Sequence, residues 1–281
     1  MSSRSRPSIA PVSGDPLGDI MRLVHELVGI ELVDAKRPMV VARLGKRLRQ
    51  LGLELAAYAR LVRKDRQEQV ALIDLMTTNH TAWWRESAHF TDLQKRLLPE
   101  VLSMAAARGQ PPKLRIWCAA AATGEEPYSI ALCIHKVMGQ LPVLDAAVLA
   151  TDISTQALAK ARAGIYSEER VADLDPSDRT LALRSEGSAA QRRWVVRDEV
   201  RRLVQFARLN LIGEWSMRGP FDAIFCRNVM IYFDQATQAR LVDRLLKLLR
   251  PGGSLYVGHA ESLANIGIRL RQAGPSIHLA P

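Results

Sequence analysis

Residues 114–137, LRIWCAAAATGEEPYSIALCIHKV, pass from an apolar run through a loop of small residues into an amphipathic helix opened by a proline. Strand, tight loop and helix in that order form the unit of open parallel sheets, which bind ligands beyond the carboxyl ends of their strands. Three more short apolar strands, AAVLATD, FDAIFC and GSLYVGH, alternate with helical segments. This pattern predicts an α/β domain whose parallel sheet is covered on both faces.

The earlier part of the chain has a different period. Leu17, Ile20, Met21, Val24, Leu27 and Val28 make one helical stripe over 17–28, and helical patterns recur at about 39–51, 54–64 and 67–76. A long helix over about 90–107 then runs into RGQPPK, a boundary of Gly and Pro. The expected organisation is a disordered tail over 1–14, an all-helical domain over 15–90, a linking helix and linker over 91–112, and the α/β domain over 113–281. Within 184–206, RWVVRDEVRRLVQF reads either as two short strands around a polar turn, a small antiparallel flap, or as a helix.

Composition narrows the setting. With 48% apolar residues the chain supplies a core, yet it holds no apolar run of about 18 residues and no hydrophobic leader, so a cytoplasmic protein without membrane insertion is expected. Cys118, Cys133 and Cys226 are widely spaced in apolar surroundings and read as buried thiols. The 6 histidines show no ligand spacing, so no metal is expected. A net charge of +10 calls for an acidic partner, and residues 34–66 concentrate it, with ten Lys or Arg against three Asp or Glu. Arg43, Lys46, Arg47 and Arg49 fall on a helix opposite Leu44, Leu48 and Leu51, either a solvated face or a docking face for nucleic acid or an acidic protein. No long heptad argues against a monomer.

The loop itself is informative. Dinucleotide loops are glycine-rich so that backbone N–H groups can approach a pyrophosphate at a helix start. Here Glu125 and Glu126 stand where they would repel it, while Ala119–Ala122 and Gly124 still permit close backbone approach. The competing role of either glutamate is ordinary stabilisation of the first helical turn. A cationic nucleoside without phosphate fits, and S-adenosylmethionine is such a molecule. Asp152, at the end of AAVLATD, is placed to accept hydrogen bonds from ribose hydroxyls, or else to cap the next helix in competition with Ser154 and Thr155.

Five blocks, MTTNHTAWWRESAHF (76–90), LRIWCAAAATGEEPYSIA (114–131), LATDISTQALAKARAGIY (149–166), FDAIFCRNVMIYFD (221–234) and LRPGGSLYVGHAESL (249–263), closely resemble the chemotaxis receptor methyltransferases of the CheR family. The resemblance implies a Rossmann-like S-adenosylmethionine-dependent methyltransferase sheet with a small antiparallel flap, preceded by an all-α domain that docks on the receptor. It implies transfer of a methyl group to glutamate side chains of chemoreceptors, giving methyl esters and S-adenosylhomocysteine for sensory adaptation. Carried over by residue, Asn79, Thr81 and Arg85 would reach the cofactor from the segment joining the domains. Glu125 would meet its amino or sulfonium end, Asp152 the ribose, and Asn210 with Leu211 the adenine. Arg227 and Asn228 would line the methionine end, and Tyr232 would face the methyl group. His80, Trp83 and Trp84 depart from the family's usual Leu and Phe, and the flap carries one glycine, Gly187, where members that tether to a receptor tail often have several.

A glutamate carboxylate has a reference pKa of about 4.3, so the acceptor is already ionised and no base is required. Arg85 and Tyr232 are the candidates for aligning it; their competing roles are an interdomain ion pair and a packed ring. A nucleic-acid methyltransferase is the alternative suggested by a pI of about 9.9, against which CRNVMIYF lacks the Asn-Pro-Pro-aromatic motif. A cofactor-binding scaffold without turnover is the other, against which the set Asn79, Arg85, Glu125, Asp152, Asn228 and Tyr232 is intact.

Overall fold

The computed structural model describes residues 14–138, 144–188 and 191–281, so the expected tail up to residue 13 and residues 189–190 of the expected flap lie outside the described residues. The chain divides into two compact units at Thr77/Thr78.

The first unit holds α1 (Pro16–Val28), α2 (Arg37–Leu51), α3 (Leu55–Lys64) and α4 (Arg66–Met76). Local chemistry sets the ends: Asp15 accepts the Gly18 N–H ahead of Pro16, Gly29 closes α1 in the left-handed conformation, and Asp65 accepts the N–H groups of Gln67 and Glu68. Ile20, Val24, Val40, Leu44, Tyr58, Val62 and Leu72 are completely buried and form the core of the bundle.

The basic face of α2 is not the free surface that its charge suggests. Arg43 donates to the carbonyls of Leu75, Met76 and Thr77 at 3.3, 2.7 and 3.3 Å, satisfying acceptors at the end of α4 that have no helical partner. Arg47 reaches Glu68 with Nε at 2.9 Å and Nη2 at 2.5 Å, and Glu68 is buried. Lys46 and Arg49 remain exposed.

The second unit begins with segment 78–87, which the sequence pattern places in the helical domain instead. Aromatic packing explains the difference: Trp83 lies 5.4 Å from Tyr166 and 6.4 Å from Tyr128, Trp84 lies 5.0 Å from Phe90, and Phe90 stacks on Phe225 at 6.1 Å. The expected long helix comprises α5 (Ala88–Asp92), a π-helical turn over Leu93–Leu97 and α6 (Leu98–Ala107). There follow β1 (Lys113–Cys118), α7 (Glu125–Met138), β2 (Asp145–Asp152), α8 (Thr155–Ala163), β3 (Ile165–Ser167), α9 (Glu168–Val171), α10 (Pro176–Ala182), β4 (Leu183–Glu186), β5 (Arg193–Val196), α11 (Asp198–Arg201) and β6 (Val204–Arg208). The unit ends with β7 (Phe221–Cys226), α12 (Gln235–Leu246), β8 (Leu249–Val257), β9 (Arg271–Gly274) and β10 (Ile277–Leu279).

The main sheet has the order β6-β2-β1-β7-β8-β10-β9, parallel through its first five strands, with β10 antiparallel to both neighbours. Ile116 of β1 pairs with Val148 on one side and Ala223 on the other, so the order reverses between β1 and β7. A crevice at that point is where such sheets take ligands.

The flap differs in detail from its expectation. It is three-stranded, in the order β3-β5-β4, and takes in residues well before 184. The second half of RWVVRDEVRRLVQF is not a hairpin partner at all: after α11 it becomes β6, which pairs with β2 at the edge of the main sheet. All three cysteines are free and buried. No helix among the described residues is long and apolar enough to cross a membrane.

The Arg47 guanidinium holds the Glu68 carboxyl below its ordinary value, against burial, which acts the other way. A depressed folded-state pKa gives stability that is present above the unfolded value and lost as pH falls through the folded one. Glu68→Gln should therefore lower stability by about 1–2 kcal/mol at pH 7, given that Arg47 is partly solvated. The gap to wild type in urea melts should shrink below about pH 4.5; a pH-independent gap would show that the pair contributes no charge-dependent stability.

Candidate active site

The loop after β1 extends the sheet before it turns. Ala119 N–H donates to the Phe225 carbonyl at 2.8 Å and Ala121 N–H to the Thr151 carbonyl at 2.9 Å, locking the loop between β7 and β2. Gly124 then takes φ +101°, and a Cβ there would stand 2.8 Å from the Tyr166 hydroxyl and 3.1 Å from the Ala161 backbone, so only glycine fits. Asp152, at the end of β2, accepts the Ala122 N–H and the Ser154 N–H, each at 2.8 Å. Ser154 itself caps α8 by accepting the Ala157 N–H at 3.1 Å. The capping role thus falls to Ser154, and the Asp152 carboxylate faces the loop.

Both glutamates at the start of α7 are buried, and each has an arginine. Glu125 accepts the Thr123 hydroxyl at 2.7 Å and pairs with Arg170 of α9, which also donates to Thr123 at 2.9 Å. Glu126 pairs with Arg227 Nη1 at 2.8 Å. Burial pushes the Glu126 carboxyl above its ordinary range although Arg227 pulls it down. The two carboxylates therefore do not stand bare at the helix start, although Glu125 still lines an open cavity.

Arg227 follows β7 and its side chain is fully buried. Besides Glu126 it donates to Glu86 Oε2 from Nε at 3.3 Å and Nη2 at 3.1 Å, and to the Arg85 carbonyl. Glu86 also accepts the Asn228 amide at 3.3 Å and the His259 N–H at 3.2 Å. Burial raises the Glu86 carboxyl, but Arg227 and these N–H donors outweigh it and leave it below the ordinary value. His89 is completely buried beside it, and desolvation, then the nearby Arg227 charge, lower its imidazole to about 4. Glu261 accepts backbone N–H groups from Gly258, Asn228, Met230 and Ile231 at 2.6, 2.8, 2.7 and 3.3 Å, which folds the turn after β7 around one carboxylate. Among the described residues, Trp84, Glu86, Ala122, Asn228 and Ser276 are the non-glycines with positive φ. The first four belong to these loops, where strain is commonly stored at working sites.

The remaining candidates fall around the same strand ends. Asn79 donates to the Ser154 hydroxyl at 3.4 Å and, with Thr123, Glu125, Gln156, Tyr166 and Arg170, lines a cavity of about 410 Å³. Thr81 is buried, and Arg85 is half-buried with Nη1 on the His80 carbonyl at 3.3 Å. Asn210 and Leu211 follow β6, where the Asn210 side chain accepts the Ile212 N–H at 3.2 Å and Arg244 braces the Leu211 carbonyl at 3.0 Å. Tyr232 is half-buried in a single 3-10 turn, Met230–Tyr232. Arg227 departs most from its expected place: its donors are largely taken up by Glu126, Glu86 and the Arg85 carbonyl. Glu86, Glu261 and Arg170 are site residues that sequence reasoning misses; Glu86 adjoins Arg85 in WWRES, but nothing in its spacing marks it as the hub. A donor set of strand-end carboxylate, small-residue loop and strand-end amides fits a nucleoside cofactor without phosphate.

Glu261→Gln replaces one acceptor oxygen by an NH2 that faces two backbone donors. It should cost about 2–4 kcal/mol and speed amide exchange at Asn228, Met230 and Ile231; unchanged protection at these amides would refute the role given to the carboxylate.

Comparison with known proteins agrees with this geometry. The family model described as CheR methyltransferase, SAM binding domain, matches residues 79–276, and that of the CheR all-alpha domain matches residues 16–77. The chain is 41% identical over 263 residues to chemotaxis protein methyltransferase 2 of Pseudomonas aeruginosa, covering 91% of this chain and 89% of that one. It is 40% identical over 263 residues to the chemotaxis protein methyltransferase of Escherichia coli, covering 92% and 88%. It is 39% identical over 260 residues to a probable chemotaxis protein methyltransferase of Rhizobium etli, covering 88% and 95%. With both family models matched in order and nearly the whole length shared, the chain belongs to the CheR family of S-adenosylmethionine-dependent methyltransferases.

Proposed function

We propose that this protein methylates glutamate side chains of chemoreceptors, and that the strand-end constellation around Asp152, Arg85, Asn228 and Tyr232 is where it does so. The observation that carries the reading is that Asp152 ends β2, Asn228 and Tyr232 follow β7, and the Arg85 carbonyl is bonded to Arg227 just after β7, at the strand ends beside the point where the sheet order reverses. Bound there, S-adenosylmethionine supplies an electrophilic methyl group to a carboxylate oxygen and departs as S-adenosylhomocysteine. Asp152 would hold the ribose, Asn210 and Leu211 the adenine, and Asn79, Thr81, Glu125 and Asn228 the rest of the cofactor, with Arg227 fixing Asn228's loop from behind.

The acceptor carboxylate carries its charge at neutral pH, so the protein's contribution is alignment, for which effective molarities are worth up to about 7–11 kcal/mol. Arg85 suits that role because its guanidinium rests on the His80 carbonyl and not on a carboxylate, which leaves a fork for the substrate. Tyr232 is half-buried in the turn after β7. On α2, Lys46 and Arg49 are the exposed charges that can meet an acidic receptor helix, whereas Arg43 and Arg47 hold the bundle together. A receptor's inner helices as substrate place the reaction in the cytoplasm, with the enzyme acting as a monomer.

Methyl transfer from labelled S-adenosylmethionine to cytoplasmic receptor fragments, scored as methanol released by mild alkali, tests the reading. Alkali-labile label on a receptor is the expected result; binding of cofactor with no label on any receptor fragment of the same genome would refute it. Arg85→Lys should lower kcat/KM by about 10–100-fold through loss of the fork, with the melting temperature unchanged. Lys46→Glu combined with Arg49→Glu should weaken methylation at low salt and leave cofactor affinity intact; equal methylation by the double variant would remove α2 from docking.

A further inference from the structure

His89 and His259, distant in sequence, meet Glu86 beside this site. The three side chains present ligand atoms that all lie within 4.8 Å of one another. His89 is 0% exposed, and neither ring nitrogen makes a hydrogen bond of normal geometry, the approach of the Pro275 carbonyl being too loose to count as one. Fully buried polar groups without partners are rare in folded proteins and call for an explanation, an ion among them. Its Nδ1 stands 3.6 Å from Glu86 Oε2. Around a divalent ion with bonds of about 2.0–2.1 Å, neighbouring tetrahedral ligands stand about 3.4 Å apart. The Glu86–His89 pair already has nearly that spacing.

Glu86 is also loosely held. Its four hydrogen bonds measure 3.1–3.3 Å, longer than the 2.7–2.9 Å or so of tight charge-assisted bonds. Arg227, which bonds the same Oε2, has Glu126 as a second partner, so its charge is shared between two carboxylates although it is still felt at His89. In that arrangement Arg227 stands where outer hydrogen bonds usually orient a ligating carboxylate. His259 is exposed at the mouth of the cluster and its ring lies 5.5 Å from that of His89, so a side-chain rotation open to any surface residue closes the third corner. Two imidazoles and a carboxylate suit zinc, cobalt or nickel and disfavour magnesium or calcium, which prefer all-oxygen sets.

We propose that Glu86, His89 and His259 form a binding site for one divalent transition-metal ion of the zinc class, with the remaining coordination position open to solvent. The ion would join the start of α5 to the turn after β8 and, through Glu86, bear on the Asn228 amide.

The test is titration of the full-length, chelator-stripped protein with Co2+ followed by visible absorption, and with Zn2+ and Mg2+ by calorimetry. One equivalent of Co2+ should bind with ligand-field bands, Zn2+ should displace it, and Mg2+ should not. His259→Ala, at an exposed position, should retain the metal-free melting temperature and weaken Zn2+ binding tenfold or more, while His25→Ala in the first unit should bind as wild type. Absence of saturable Zn2+ binding, or a His259→Ala effect smaller than tenfold, overturns the site.

Discussion

One buried guanidinium holds the working end of the sheet together. Arg227 follows β7 with its side chain out of solvent contact, surrounded by Glu126 from the start of α7, Glu86 and the Arg85 carbonyl. Burying that charge is costly unless its partners are fixed around it, and removing one partner strands the others. The segments it joins, 85–86, 126 and 227, are distant in the chain, so the geometry of the loops follows from a contact that only the complete fold can make. Phe90 adds its ring face 5.5 Å from the guanidinium. Glu261 does the same work from the other side with a carboxylate and backbone N–H groups.

The loop after β1 shows how the fold can exclude a phosphate without forbidding a nucleoside. A pyrophosphate needs free N–H groups at a helix start. Here Glu125 and Glu126 stand at that end, each tied to an arginine, and Ala119 and Ala121 have committed their N–H groups to the sheet. With the Ala122 N–H also bonded to Asp152, the loop has few N–H groups left to offer a pyrophosphate. The charges at the helix start are compensated, and Asp152 and Glu86 are the further carboxylates close by.

Most of the architecture is legible from periodicity because each element carries its own signal. The four helices of the first unit and strands β1, β2, β7 and β8 have clear stripes or runs. The flap has none, because β3, β4 and β5 span three or four residues each and β3 reaches β5 across the intervening α9, α10 and β4. In sequence β6 reads as half of a hairpin, since a short strand does not say which sheet it joins. Within the site, strand-end position places Asp152 and the β1 loop. It does not place Glu86, Glu261, Arg170 or the meeting of His89 with His259, because each depends on contacts between loops that lie far apart in the chain. Charge alone misleads on α2, where Arg43 and Arg47 are internal braces.

The most direct check of a phosphate-free, nucleoside-binding strand end is calorimetry of the purified protein with S-adenosylmethionine, S-adenosylhomocysteine and an oxidised nicotinamide dinucleotide in turn. Stoichiometric binding of the first two and none of the dinucleotide is the expected result. Binding of the dinucleotide in competition with S-adenosylmethionine would contradict it, since the helix start with its two glutamates would then have to admit a pyrophosphate.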